Sequence, residues 1–271
     1  MARFNCKKRI SCSIVYYSVY KVSPVLFKKN FTGSLHSLSI WRGIQASISR
    51  NPNKVAITCK TSYLTYGDIG SLINNADQSK LDSQFVELMN LLQTLSINSN
   101  LNESCDEDSN LIGVKQNISE RELGLSILNI SVCHPIFTRN SVSAVPFSIQ
   151  EPCGVVATFA PLLLGGTLCL IEKNNIESLV SKISDGFVTQ AWLSPTEYTL
   201  LDKINLHTPH LLFQGLICIG LPSQSIRKIL IDWVGLNRAH AIDLNADLMP
   251  WARYPNLMNT CEPYPGYQRL D

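Results

Sequence analysis

From Leu38 onward the apolar positions switch repeatedly between a helical and an extended period. Ile40, Trp41, Ile44 and Ile48 recur at helical spacing and predict a helix closed by Asn51-Pro52. KVAITC (54–59) then reads as a strand, and after a short KTS turn Tyr63-Leu64 resumes an extended partner. Thr65-Tyr66-Gly67-Asp68 opens a second helix, because the threonine oxygen can cap its first turn and the acid favours its positive end. Ile69, Leu72, Ile73 and Ala76 share one face of that helix. Leu81, Phe85, Leu88, Leu92 and Leu95 form a third apolar stripe, after which residues 96–110 lose all periodicity and read as a mobile acidic loop.

Beyond the loop, Ser119-Glu120-Arg121-Glu122 is a capping box that opens a helix through Ile130, and SVSAVPFSI (141–149) is strand-like. VVATFAPLLLGG predicts a buried helix broken by glycines, feeding the strand TLCLI (167–171). A helix over 175–184 and a strand over 188–194 follow. Ser194-Pro195-Thr196-Glu197 combines an N-cap serine, a proline at the first helical position and a capping glutamate, and predicts a helix to about Lys203. The last periodic unit is the strand 211–220 with the helix 225–233. Helices and strands that alternate in this way predict an α/β fold, a mostly parallel sheet with flanking helices.

Five regions result: a basic extension (1–37), a helix-strand-helix part (38–95), the acidic loop (96–110), an α/β core (111–235) and a loosely ordered tail rich in Pro and Tyr (236–271). Charge sharpens the first of these. Residues 1–67 hold 11 Lys and Arg and no Asp or Glu, whereas the remainder carries 12 basic against 21 acidic residues. An acid-free basic arm with Ser and Tyr has the composition of an organelle-targeting segment, so mitochondrial import is expected, with an unaddressed extension and a cytoplasmic chain as the alternative. The net acidic body without interleaved aromatic and basic residues argues against nucleic acid as a partner. No apolar run approaches the ~18 residues of a membrane helix, so no span is expected. The nine cysteines form no CxxC pair and sit partly in apolar runs, as reduced core residues do.

The order of units resembles the adenylate-forming family, the acyl-CoA synthetases, luciferases and peptide-synthetase adenylation domains. Asn51-Pro52-Asn53-Lys54-Val55-Ala56 and Leu64-Thr65-Tyr66-Gly67-Asp68-Ile69 stand where that family has its opening turn and "L-T-Y-x-E-L". VPFSIQEPCGVVATFAPLLLGGTLCLIEKN, WLSPTEYTLL and LICIGLPSQSIRKIL are similar to three later steps, and the likeness covers about residues 38–235. It implies a partial N-terminal domain of the adenylate-forming fold, with ATP and Mg as the family's cofactors and an acyl or nucleotide ligand as the kind of partner.

The same comparison removes the chemistry. The family's Gly-rich loop ends in a G-V pair, and setting Gly113-Val114 there puts Cys105 to Asn110, with Asp106, Glu107 and Asp108, across the loop and Ile112 in place of its lysine. Carboxylates facing a polyphosphate repel it by about a kcal/mol or more each at close range. The expected histidine is replaced near Ile149-Gln150, and the threonine-glutamate motif aligns at best with Asn245 to Met249. Gly113, Gly220 and Pro222 remain as remnant cofactor-binding positions; for Gly165-Gly166, Gly220 and Pro222, tight helix-to-strand turns are a stronger explanation than ligand contact. No catalytic residue is expected, and no metal site: Asp106-Glu107-Asp108 and the His207/His210 pair are the only candidates, and neither has a convincing spacing. The chain therefore reads as an acid-thiol ligase relative that is inactive by itself and needs no cofactor. The alternatives are a ligase completed by a longer form or by another chain, and a non-catalytic binding protein.

Overall fold

The computed structural model describes residues 39–60, 62–75, 83–101, 120–134, 137–146, 148–149, 152–173, 175–244, 250–258 and 262–263. The chain opens with helix α1 (Ile40–Arg50), capped by the Ser39 hydroxyl, which accepts from the Arg42 amide. Strands β1 (Val55–Cys59) and β2 (Ser62–Thr65) form a hairpin that runs into helix α2 (Tyr66–Asn75). The predicted cap is in place: Asp68 Oδ2 accepts from the Thr65 amide at 2.8 Å and from its hydroxyl, while the Thr65 hydroxyl accepts from the Asp68 amide. Helix α3 spans Ser83–Leu101 and helix α4 spans Glu120–Cys133. α3 thus continues through 96–101, where a loop was expected, because a polar stretch of Ser and Asn hides a period that the preceding leucines had already committed to a helix.

β3 (Val142–Val145), α5 (Pro152–Leu163), β4 (Thr167–Leu170), α6 (Ile176–Ser184) and β5 (Gln190–Leu193) follow as strand-helix-strand units. α7 is a single turn (Pro195–Tyr198) succeeded by a 3-10 turn at Leu201–Lys203, so the helix expected to Lys203 breaks at Thr199-Leu200 although its capping box is formed. β6 (Gly215–Ile219) and α8 (Gln224–Val234) match the last predicted pair. β7 (Ala239–Leu244), β8 (Pro250–Tyr254) and β9 (Glu262–Pro263) then extend the sheet through the stretch expected to lack regular elements.

The nine described strands form one sheet in the order β2-β1-β4-β3-β5-β6-β7-β8-β9. The interior is parallel from β1 to β7, with antiparallel pairs only at the two margins. Both faces are covered, as parallel strands require. Alternate residues Val145, Trp192, Ile217 and Ile242 face a core built with α1 to α5. Ala144, Leu193, Cys218 and Ala241 face a second core built with α6, α7 and α8. The two cores explain why TLCL and GLICI read as unbroken apolar runs rather than as alternating ones.

One end of the sheet is clamped. Lys54 Nζ donates to the carbonyls of Arg139 and Gly165, and the buried Tyr66 hydroxyl donates to Gly166 O at 2.7 Å. Gly166 is also gripped by neighbours: a Cβ there would lie 3.0 Å from Ser141 O. Burial, with the like charge of Arg139, lowers the Lys54 pKa, and burial raises that of the Tyr66 hydroxyl.

Candidate functional site

The topology points to the opposite end. From β3 the chain crosses through α5 to β4 on one side, and from β4 through α6 to β5 on the other. The carboxyl ends of β3 and β5 therefore flank a switch point, the place where open α/β sheets carry a ligand crevice. At β3 the backbone is drawn tightly together, since a Cβ on Gly154 would lie 2.0 Å from Ser148 O. At β5 the Ser194 amide and hydroxyl both donate to Glu197 Oε2. Glu197 is 0% exposed, and its second oxygen, Oε1, has no hydrogen-bond partner. A buried carboxylate with an unused oxygen is costly, and natural structures keep few of them.

β6 is followed at once by Gly220, whose φ of +73° is open to glycine at little cost. Its amide donates to Ile242 O at 2.7 Å, which ties the turn down against β7. Among the described residues, a Cβ on Gly220 would meet only Asp243 Oδ1, at 3.9 Å, so these leave a notch between the two strand ends. Asp243 lies near the end of β7 and is partly exposed. Its other oxygen, Oδ2, accepts from the Tyr254 hydroxyl of β8 at 2.6 Å. Burial, with the Cys218 thiol and the Asp243 carboxylate beside it, raises the pKa of Tyr198 on α7. Tyr254 is followed by a turn in which Asn256 and Leu257 both have positive φ, held by a hydrogen bond from Arg227 to Leu257 O.

The residues singled out in the sequence are thus divided. Gly220 and the buried Pro222 stand at the crevice. Gly165 and Gly166 lie at the far, clamped end, where close packing accounts for both. Gly113 and the acidic segment 105–110 fall outside the described residues, as do Gln150 and the motif position 245–249. His207 uses its carbonyl to accept from Trp233, and His210 packs its ring against Gly186, so the pair is occupied structurally. Among the described residues no group of three His, Cys, Asp or Glu could hold a metal, and no helix is long and apolar enough to cross a membrane. A cleft of about 460 Å³ runs along α6, with Glu177, Ser181, Asp185 and His207 on its walls, and shares no residue with the crevice. Asp243, Tyr254 and Tyr198 were missed from the sequence. The one available signal was the short alternation AHAIDL, an acid closing a strand.

The folded neighbours agree with the topology. O-succinylbenzoate coenzyme A synthetase from Bacillus subtilis superposes with a TM-score of 0.57 at 10% identity, covering 79% of this chain and 64% of that one. MatB from Rhodopseudomonas palustris gives 0.62 at 13% identity, over 81% and 62% of the two chains. The peptide synthetase FmoA3 in its AMPPNP-bound form gives 0.64 at 9% identity, over 90% and 34%. The fold is that of adenylate-forming enzymes. This chain spans less than two thirds of the length of each of these three neighbours. No protein-family model and no curated protein matches the sequence.

Proposed function

We propose that this chain is a relative of the acyl-activating ligases that does not itself form an acyl-adenylate. The observation that carries the reading is the charge of the strand-end crevice. Ser194 to Glu197, Gly220 to Pro222 and Asp243 contain two carboxylates and no Lys or Arg, where a triphosphate would need donors and positive charge. One of the structural neighbours is a complex with ATP and a magnesium ion. Here the described residues do not fit such a group well: Asp243 offers one carboxylate, already shared with Tyr254, whereas Mg²⁺ seeks octahedral oxygen ligation. The sequence at 105–113, with three acids and an isoleucine in place of a Gly-rich loop and its lysine, supports the same reading.

The test is ATP–pyrophosphate exchange by the purified chain across panels of fatty, dicarboxylic and amino acids. Exchange no greater than the buffer blank is the expected result; exchange stimulated by any one acid ends the proposal. The limited coverage of the neighbours' length favours a second reading, in which another chain or a longer form supplies the part of that length that this chain does not span. Activity that appears only on adding that partner would select it. For the basic arm we propose mitochondrial delivery, to be read from a fluorescent fusion with and without residues 1–37.

A further inference from the structure

The core between the sheet and helices α1 to α5 is not uniformly apolar. Ser143 of β3 and Gln190 of β5 are register partners in the middle of the sheet, and Trp192 stands two residues further along β5. Alternation along each strand places all three on the face that carries Val145 and Ile217, since Ala144, Ala191 and Leu193 belong to the opposite core. Ser143, Gln190 and Trp192 are at most 1% exposed. Even so, Ser143 Oγ, both polar atoms of the Gln190 amide and Trp192 Nε1 have no hydrogen-bond partner. Thr158 of α5, the helix that packs on β3 and β4, adds another buried and unpartnered hydroxyl. Buried polar groups of this kind are expected to be satisfied, and so many in one core demand a common explanation. On its other side Gln190 is paired with Gly215 of β6, so a serine and a glycine flank it in the row and take up little volume beside its amide.

We propose that the row Ser143, Gln190 and Gly215, together with the Trp192 indole, is an internal hydration site that holds long-lived water. The row carries no charged side chain, so a neutral occupant fits it and an ion does not. The indole is a donor only, whereas the amide and the hydroxyl both donate and accept. A water molecule can accept from the Trp192 Nε1–H and donate to Gln190 Oε1 at once, and a second contact to Ser143 Oγ gives it the two to four polar partners that buried water requires. The inference uses no residue of the ligase reading and stands or falls apart from it.

Water-to-amide NOE and ROE spectra of the deuterated, nitrogen-15-labelled full chain test this directly. The Trp192 indole N–H and the Gln190 side-chain amide should both show cross-peaks to water, of opposite sign in the two spectra, as long-lived bound water gives and chemical exchange does not. Ser143→Ala removes the hydroxyl that could relay such a signal, and the cross-peaks should persist in it. Their absence from either group, or their loss in Ser143→Ala, overturns the proposal. Stability supplies a second reading of opposite sign for the two possibilities. With water in place, Gln190→Leu deletes hydrogen bonds and should lower the folding equilibrium constant by about tenfold. In a dry core the same substitution trades an unpartnered amide for an apolar group, so an unchanged or increased folding constant also overturns the proposal. Should Gln190→Leu fail to fold, the spectra of the parent chain and of Ser143→Ala decide alone.

Discussion

Two corners of the central sheet are built to opposite rules. At the amino ends of β1 and β4, polar groups close on one another: Lys54 holds two carbonyls, Tyr66 holds two more, and the Thr167 hydroxyl reaches Val55 O at 2.7 Å. At the carboxyl ends of β5 and β7 the polar groups are left with capacity to spare, an unpartnered Glu197 Oε1 and an Asp243 oxygen facing a bare glycine. Identical strand geometry therefore serves two purposes. Where donors and acceptors are matched the sheet is consolidated, and where a buried acceptor is left over the fold carries its desolvation cost.

Substitutions at the clamped end should be the expensive ones. Tyr66→Ala removes a fully buried ring as well as its hydroxyl and is expected to cost about 3–5 kcal/mol in urea unfolding. A loss below about 1 kcal/mol would show that the clamp is ornamental. Tyr66→Phe keeps the ring and gives up the two carbonyl contacts, for an expected ~1–2 kcal/mol.

Alkaline pH should act through the buried acids. Burial raises Cys169 to about 11 from 9.0, and raises Cys218 and Tyr66 further still. A group held protonated by the fold contributes stability below its unfolded pKa and loses it as pH climbs towards the folded value. Stability should thus begin to fall near pH 9 and continue to fall beyond pH 10, where tyrosine joins. Cys218→Ala should flatten the first part of that decline and Tyr66→Phe the second. Lys54 works in the other direction, because its lowered pKa makes the unfolded chain bind more protons as pH approaches 10.5; the slope of Lys54→Met should be steeper than that of the parent chain.

The crevice end should tolerate change. Gly220→Ala meets no crowding among the described residues and costs what a positive φ does, about 1–2 kcal/mol. Glu197→Gln retains an oxygen for the Ser194 amide and removes a buried charge, so its effect is expected near zero or stabilising by up to about 1 kcal/mol. A Glu197→Gln penalty as large as that of Tyr66→Phe would erase the contrast between the ends.

How far the sequence discloses this contrast depends on the range of the interaction. The Thr65/Asp68 cap and the Ser194/Glu197 box join residues three apart, and both are legible from residue type and spacing. The helix α1 and the core strands follow from apolar period. The strand β7 is obscured because AHAIDL places a histidine and an aspartate among its apolar residues, and β8 begins at a proline. The clamp and the notch are hidden for a different reason. Lys54 meets Gly165 across 111 residues and Tyr66 meets Gly166 across 100, and neither local propensity nor a short motif carries that information. Family likeness singled out Gly220 and Pro222, which lie just beyond the end of β6, and Gly165 and Gly166, which lie before β4 at the clamped end.

The distance spanned by the clamp sets an order of events during synthesis. The carbonyl of Val55 waits 112 residues for the hydroxyl of Thr167, so β1 has no parallel neighbour until β4 has left the ribosome. Until then the hairpin β1–β2 offers an open ladder on one side. Slow translation should consequently lengthen the exposure of that ladder, whereas a lowered growth temperature, which weakens hydrophobic association between open edges, should raise the soluble yield.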